Sequence, residues 1–222
     1  FELCQGLHKE FSIYVLILKQ KGYFGRRIED LGIMVKSYGL GKRVNLIYLL
    51  KLPLVFIRLC LELKRIKPEI VQGILFQANL LAKLAGRICF VPYIFCSIHT
   101  FEHGITKRLI EKLTWRLSDG YIVVSQRLKE FWIRNLSIPE EKILVIRNGV
   151  SLDLSPLPIS ALRKKWIIEE NSILIGSIAR LHREKGIDLL ITAFYHLAKE
   201  FPIAKLMIVG DGEERKNLEK LV

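Results

Sequence analysis

Residues 173–214 read ILIGSIARLHREKGIDLLITAFYHLAKEFPIAKLMIVGDGEE, and this stretch decides the fold. Its opening, Ile173 to Ala179, is a short apolar run rich in β-branched residues, which predicts a buried strand. Then Ile187, Leu190, Ile191, Phe194, Leu197, Ala198 and Phe201 recur at helical spacing and share one face. Pro202 ends that helix, because it lacks an N–H and clashes with the preceding turn. Lys205 to Val209 is a second apolar run and a second strand. Strand, helix and strand joined by short connections form a βαβ unit, whose strands are parallel and whose crossover is right-handed.

Ligands of open α/β sheets bind beyond the carboxyl ends of the strands. Here that rim carries Arg180, Arg183 and Lys185, then Gly186 and the start of a helix. A guanidinium is a planar fork that matches two phosphate oxygens, and an ammonium is a compact point charge. A helix N-terminus adds free N–H groups. Together these suit a diphosphate. The second strand runs into Gly210-Asp211-Gly212, a bare backbone that a ligand could approach closely. Taken singly, each charge is more simply a solvated loop residue. Their order says more.

The order resembles glycosyltransferase family 4. The matching residues are Gly176, Ile178, Arg180 and Leu181; Lys185 to Asp188; Pro202; then Ile208 to Gly212, Arg215, Leu218 and Glu219. The resemblance implies an α/β chain of GT-B type, two Rossmann-like domains facing a cleft. It also implies transfer of a sugar from a nucleotide-sugar donor with retention of configuration. Arg180 and Lys185 would then hold the donor diphosphate, with Gly210 and Gly212 in a donor-side loop. No Asp-x-Asp motif is present, so no metal is implied, and the donor is expected to be a UDP- or GDP-sugar rather than a cofactor.

The rest of the chain fits two domains. Residues 1–150 are expected to form the acceptor-side domain, 151–160 a linker containing Pro156 and Pro158, and 161–222 the start of the donor-binding domain. Strands are predicted at Ser12–Leu18, Ile33–Tyr38, Glu69–Leu75, Val91–Ile98 and Gly120–Val124. Helices are predicted at Gln77–Arg87 and Lys107–Leu117, with Ser125 as an N-cap. Lys67-Pro68-Glu69-Ile70-Val71 and Ile138 to Val150 also resemble family segments. His99 falls at the carboxyl end of its strand, where the resemblance places it near the transferred sugar; a hydrogen-bonded structural histidine is the alternative.

Residues 45–66 are very apolar. Lys51, Pro53 and Arg58 interrupt the run well short of the roughly 20 apolar residues a bilayer span needs. A central charge there would cost ~2.5–3.5 kcal/mol. A buried helix kinked at Pro53 is expected, with an interfacial amphipathic helix as the second reading. The four cysteines, Cys4, Cys60, Cys89 and Cys96, have no metal-ligand spacing and read as reduced thiols of a cytosolic protein.

The chain of 222 residues carries a net charge of +13. Residues 1–159 hold 24 basic and 13 acidic side chains, so +11 of the excess lies there. No zinc-finger, helix-turn-helix or RNP-like pattern accompanies it, so nucleic acid is not an expected partner. The charge instead suits a peripheral enzyme at the inner face of an anionic membrane, acting on a lipid-linked or saccharide acceptor in cell-envelope or polysaccharide synthesis.

Family members carry a first strand with a Gly-rich loop ahead of the position of Phe1. They also carry a Glu-Gly-Phe-Gly motif with a second Glu beyond the position of Val222. The chain is therefore expected to be a piece: a partial sequence, the product of a disrupted gene, or half of a split protein. A non-catalytic module or remnant of the same fold is the alternative function. A sugar-nucleotide epimerase is a further one, against which the Lys-Gly-Ile-Asp context of residues 185–188 speaks.

Overall fold

The computed structural model describes residues 1–41, 46–101, 104–149, 163–166 and 168–222. It divides into two compact units, Phe1–Gly149 and Val150–Val222.

Helices and strands alternate along the first unit. The order is α1 (Glu2–Leu7), β1 (Tyr14–Ile17), α2 (Tyr23–Glu29), β2 (Met34–Ser37), α3 (Leu46–Ile66) and β3 (Ile70–Ile74). It continues with α4 (Phe76–Ile88), β4 (Tyr93–Ile98), α5 (Ile105–Thr114), β5 (Gly120–Val123), α6 (Gln126–Leu136) and β6 (Ile143–Val145). Every strand pairing is parallel, in the orders β1-β2 and β3-β4-β5-β6. Parallel neighbours cannot be joined by hairpins, so each connection carries a helix that covers the sheet. The strand β6 is three residues long, inside the Ile138–Val150 segment, and too short to announce itself by periodicity.

Two larger clusters hold this unit together, beside a small one of Leu40, Tyr48 and Val55. Cys96, Ile98, Tyr121 and Val123 of the sheet pack against Leu128, Trp132 and Leu136, which lie four residues apart on one face of α6. Ser125 caps that helix, its Oγ accepting from Leu128 N–H at 3.2 Å. The second cluster joins Leu59 and Leu63 of α3 to Leu81 and Ala85 of α4, with Val91 and Ile94. Leu16 of β1 and Val71 of β3 both pack against it, so both sheets share this core.

The helix α3 departs from expectation. It runs through Pro53, and only its inner face is buried, by Tyr48, Val55, Leu59 and Leu63. Its outer apolar residues, Leu50, Leu54 and Leu61 among them, are exposed. The reason is architectural: α3 is an outer layer over the sheets, and nothing among the described residues forms a further layer to cover its other side. No helix of the described residues is long and apolar enough to cross a membrane.

The one acid of α3, Glu62, is buried and accepts hydrogen bonds from Lys36 of β2 and from Arg65. The Lys36 bond holds its carboxyl below the usual range, against desolvation and with help from Arg65. A carboxylate with a lowered folded pKa adds stability above its unfolded pKa, about 4.3, and loses it as pH falls through the folded value. Glu62→Gln should therefore give a shallower acid limb below about pH 4 in thermal melts. An unchanged limb would remove Glu62 as its source.

The second unit contains β7 (Ile173–Ile178), α7 (Ile187–Glu200), β8 (Ala204–Val209) and the short α8 (Arg215–Leu218). The strands pair in parallel, from Ile173 opposite Ala204 to Ile178 opposite Val209. Leu181, Ile187, Ile191 and Leu218 form its core. Leu190, Phe194 and Ala198 are half-buried, while Leu197 and Phe201 are exposed, because two strands make a floor narrower than the apolar face of α7. The linker 151–160 lies outside the described residues, as do 150, 161 and 162; residues 163–165 are helical.

Candidate active site

The exit of β7 is built around one buried side chain. Leu181 sits in the core, and its backbone N–H donates to Asp211 O at 2.9 Å while its carbonyl accepts from Glu214 N–H at 3.1 Å. Ala179 N–H likewise donates to Val209 O at 3.1 Å. These bonds zip the exits of β7 and β8 together past the ends of the strands. With Leu181 turned inward, Arg180 stands exposed. A 3₁₀ turn at Arg183–Lys185 follows, then Gly186 at φ +60°, and α7 begins.

The cations of this rim divide into two groups. Arg183 is engaged, its Nε donating to Glu214 Oε1 at 3.2 Å. His182 places Nε2 3.1 Å from Glu213 Oε1 and Nδ1 accepts from Glu184 N–H at 3.4 Å. Arg215 Nε donates to Glu219 Oε1 at 2.8 Å, which raises the guanidinium pKa further. Glu214 is held below the usual carboxylate range by Asn217 and Arg183. Arg180 and Lys185 differ: both are exposed, and neither side chain makes a hydrogen bond or ion pair with any described residue.

A concavity of about 380 Å³ lies beside this rim, lined by His182, Arg183, Asp188, Glu214, Asn217 and Leu218 among others. Arg180 and Lys185 do not line it. Arg183 there is already paired with Glu214, and Asp188 stands in the first turn of α7, so an anion would meet two carboxylates. It is a poorer diphosphate cradle than the open rim.

The two loop glycines have a reason of their own. A Cβ on Gly210 would lie 1.9 Å from Ala179 O, and one on Gly212 would lie 2.2 Å from Leu181 O. Their bareness is used by the protein's own backbone, on the side facing the exit of β7. The close approach foreseen for a ligand is made first by the neighbouring loop.

In the first unit, His99 is exposed at the end of β4 and has no hydrogen-bond partner among the described residues. Below it is a cavity of about 10 Å³, room for one water-sized group, lined by Asn79, His99, Thr100, Glu111 and Trp132 among others. Asn79 Oδ1 and Trp132 Nε1 are buried without partners.

A buried ionic network adjoins this cavity that sequence reading passed over. Lys83, fully buried, donates to Glu111 Oε1 and, at 2.8 Å, to Thr114 Oγ1. Tyr121 Oη donates to the same Glu111 oxygen at 2.7 Å. Burial, with Glu111 second, pushes the Tyr121 hydroxyl pKa well up. Burial also pushes the Cys96 thiol up to about 12. The sequence did hold a signal: Asn79, Lys83 and Gly86 share the inner face of α4 within the run NLLAKLAG.

Comparison with known proteins completes the picture. Residues 158–222 match the family described as Glycosyl transferases group 1. Over 232 positions, 99% of this chain and 58% of the relative, the sequence is 27% identical to UDP-Gal:alpha-D-GlcNAc-diphosphoundecaprenol alpha-1,3-galactosyltransferase of Escherichia coli. The structure of Anabaena HepE in complex with UDP and glucose matches at a TM-score of 0.78 and 24% identity, over 99% of this chain and 60% of that one. UDP-GlcNAc 2-epimerase from Neisseria meningitidis is more distant, at a TM-score of 0.63 and 18% identity. The chain thus spans about three-fifths of the first two, and its fold is the GT-B type of mixed α/β architecture. Residues 1–154 match Glycosyltransferase Family 4, and the chain belongs to that family.

Proposed function

We propose that the protein transfers a sugar from a UDP- or GDP-sugar to a lipid-linked or saccharide acceptor in cell-envelope or polysaccharide synthesis, with retention of configuration. The observation that carries this reading is the pair of exposed cations, Arg180 and Lys185, whose side chains have no partner among the described residues, beyond the carboxyl end of a parallel βαβ unit. Cleavage of the donor's anomeric C–O bond leaves negative charge on the departing diphosphate. Cations that face no internal carboxylate are free to stabilise that charge as it develops. His99 is proposed to lie near the transferred sugar, and Gly210 and Gly212 to shape the donor-side loop. The donor's own phosphates supply the leaving group, so the reaction as proposed uses no cofactor.

The names of the relatives support the substrate class. The Escherichia coli relative is a galactosyltransferase acting on a GlcNAc-diphosphoundecaprenol, and HepE was solved with UDP and glucose. With such an acceptor, the reaction is proposed to run on the cytoplasmic side, at the membrane face.

The test is UDP or GDP release from a panel of nucleotide sugars, with and without a polyprenyl-diphosphate-linked GlcNAc acceptor. Release should depend on the acceptor and fall about a hundredfold in Arg180→Ala, as expected for loss of one group that stabilises developing charge. Proton NMR of the product should show the donor's anomeric configuration. Unchanged turnover in a folded Arg180→Ala protein would count against the assignment.

A further inference from the structure

The outer face of α3 has an order that packing within the chain does not explain. Ile47, Leu50, Leu54, Ile57 and Leu61 follow one another at gaps of three, four, three and four, which aligns them in one stripe along the helix. Each is between 54 and 68% exposed. Lys51, Arg58 and Arg65 each stand four residues after a member of that stripe, so they form a row along one of its borders. Lys51 and Arg58 have no ion-pair partner among the described residues, and both are exposed. The only acid of the helix, Glu62, is buried and already paired.

A further exposed apolar residue lies at the end of α4. Cys89 Sγ is 3.4 Å from Cys60 O, so the end of α4 abuts the C-terminal third of α3. The next residue, Phe90, has φ +56° and is 90% exposed. A left-handed backbone is strained for a phenylalanine, and a ring held in water gains nothing from burial.

We propose that the outward face of α3, with Lys51 and Arg58 along its border, docks on the surface of an anionic lipid bilayer. This rests on the reading of a membrane-linked acceptor and goes beyond it by naming the surface that meets the membrane. Apolar side chains enter the headgroup boundary while the flanking cations meet lipid phosphates. Charge selects this occupant. A second copy of the chain would bring only further cations, since the face exposes no carboxylate, and the +11 of residues 1–159 adds to the repulsion. The helix lies on the bilayer rather than across it.

The experiment is flotation of the full 222-residue chain with phosphatidylcholine vesicles, alone or with roughly a third phosphatidylglycerol, and no nucleotide sugar present. The chain should bind the anionic vesicles and leave the neutral ones. Partitioning should fall at least about tenfold in Lys51→Glu/Arg58→Glu, through lost attraction to anionic lipid. It should fall similarly in Leu50→Glu/Leu54→Glu, through lost apolar burial. All four positions are exposed, so circular dichroism and melting should match the wild type, and each pair checks the other. Arg180→Ala should bind vesicles as the wild type does, so a failed donor site and a failed docking face give different results. Equal binding to both vesicle types, or undiminished binding by both variants, overturns the proposal. So does a dimer in sedimentation that Leu50→Glu/Leu54→Glu dissolves while vesicles go unbound; a protein partner whose binding alone is lost would do the same.

Discussion

Lys83→Met should destabilise the first unit by about 3–5 kcal/mol, the usual consequence of removing one partner of a buried ion pair. The substitution keeps the volume of the side chain and leaves Glu111, itself buried, without its cation. Glu111 would retain the Tyr121 hydroxyl at 2.7 Å, which is not enough to solvate a buried carboxylate. A triple change, Lys83→Met with Glu111→Leu and Tyr121→Phe, removes the stranded acid and the hydroxyl that depended on it. That protein should recover most of the loss, because well-packed apolar replacements of buried ion pairs are often neutral or better. Urea unfolding followed by tryptophan fluorescence in a Trp166→Phe background, which leaves Trp115 and Trp132, reads the first unit. A midpoint unmoved by Lys83→Met would show that the pair is solvated in solution.

The second large effect is expected at the loop glycines. Gly212→Ala places a methyl group 2.2 Å from Leu181 O, and Gly210→Ala places one 1.9 Å from Ala179 O. Both obstacles are backbone and cannot turn aside as a side chain can. The exits of β7 and β8 must separate, which breaks the bond from Leu181 N–H to Asp211 O. Each change should cost about 3 kcal/mol, at the upper end for overpacking, and should displace Arg180 as well. Gly176→Ala is the matched control in the same unit. Nothing lies within 4 Å of its added Cβ, so its effect should stay within about 0.5 kcal/mol. Equal melting temperatures for Gly176→Ala and Gly212→Ala would mean the two loops are not zipped as described.

These two sites also show what the sequence made legible. The βαβ unit could be read because a 3.6-residue period, a terminating proline and two β-branched runs all pointed one way. The rim of β7 followed, since position beyond a strand is a matter of order along the chain. Lys83 was harder: a lysine is ordinarily a surface residue, and its partner Glu111 lies on a different helix, so no local pattern joins them. The role of Gly210 and Gly212 was half visible. Sequence shows that a Cβ is unwelcome there, but which atom excludes it depends on how two loops fold past each other. With α3 the apolar content was plain, yet the number of layers available to bury it is a property of the whole sheet. Paired Arg183 and unpaired Arg180 are likewise alike in sequence and differ only through Glu214, 31 residues further on.

The central claim is that Arg180 and Lys185 hold a diphosphate, and calorimetric titration with UDP and UMP tests it most directly. The two ligands share base and ribose and differ by one phosphate, so the difference between them isolates the proposed contact. UDP should bind at least about tenfold more tightly than UMP, and that advantage should vanish in Arg180→Ala/Lys185→Ala while UMP affinity is unchanged. Equal affinities for UDP and UMP in the wild type, or an advantage that survives in the double variant, would contradict the account.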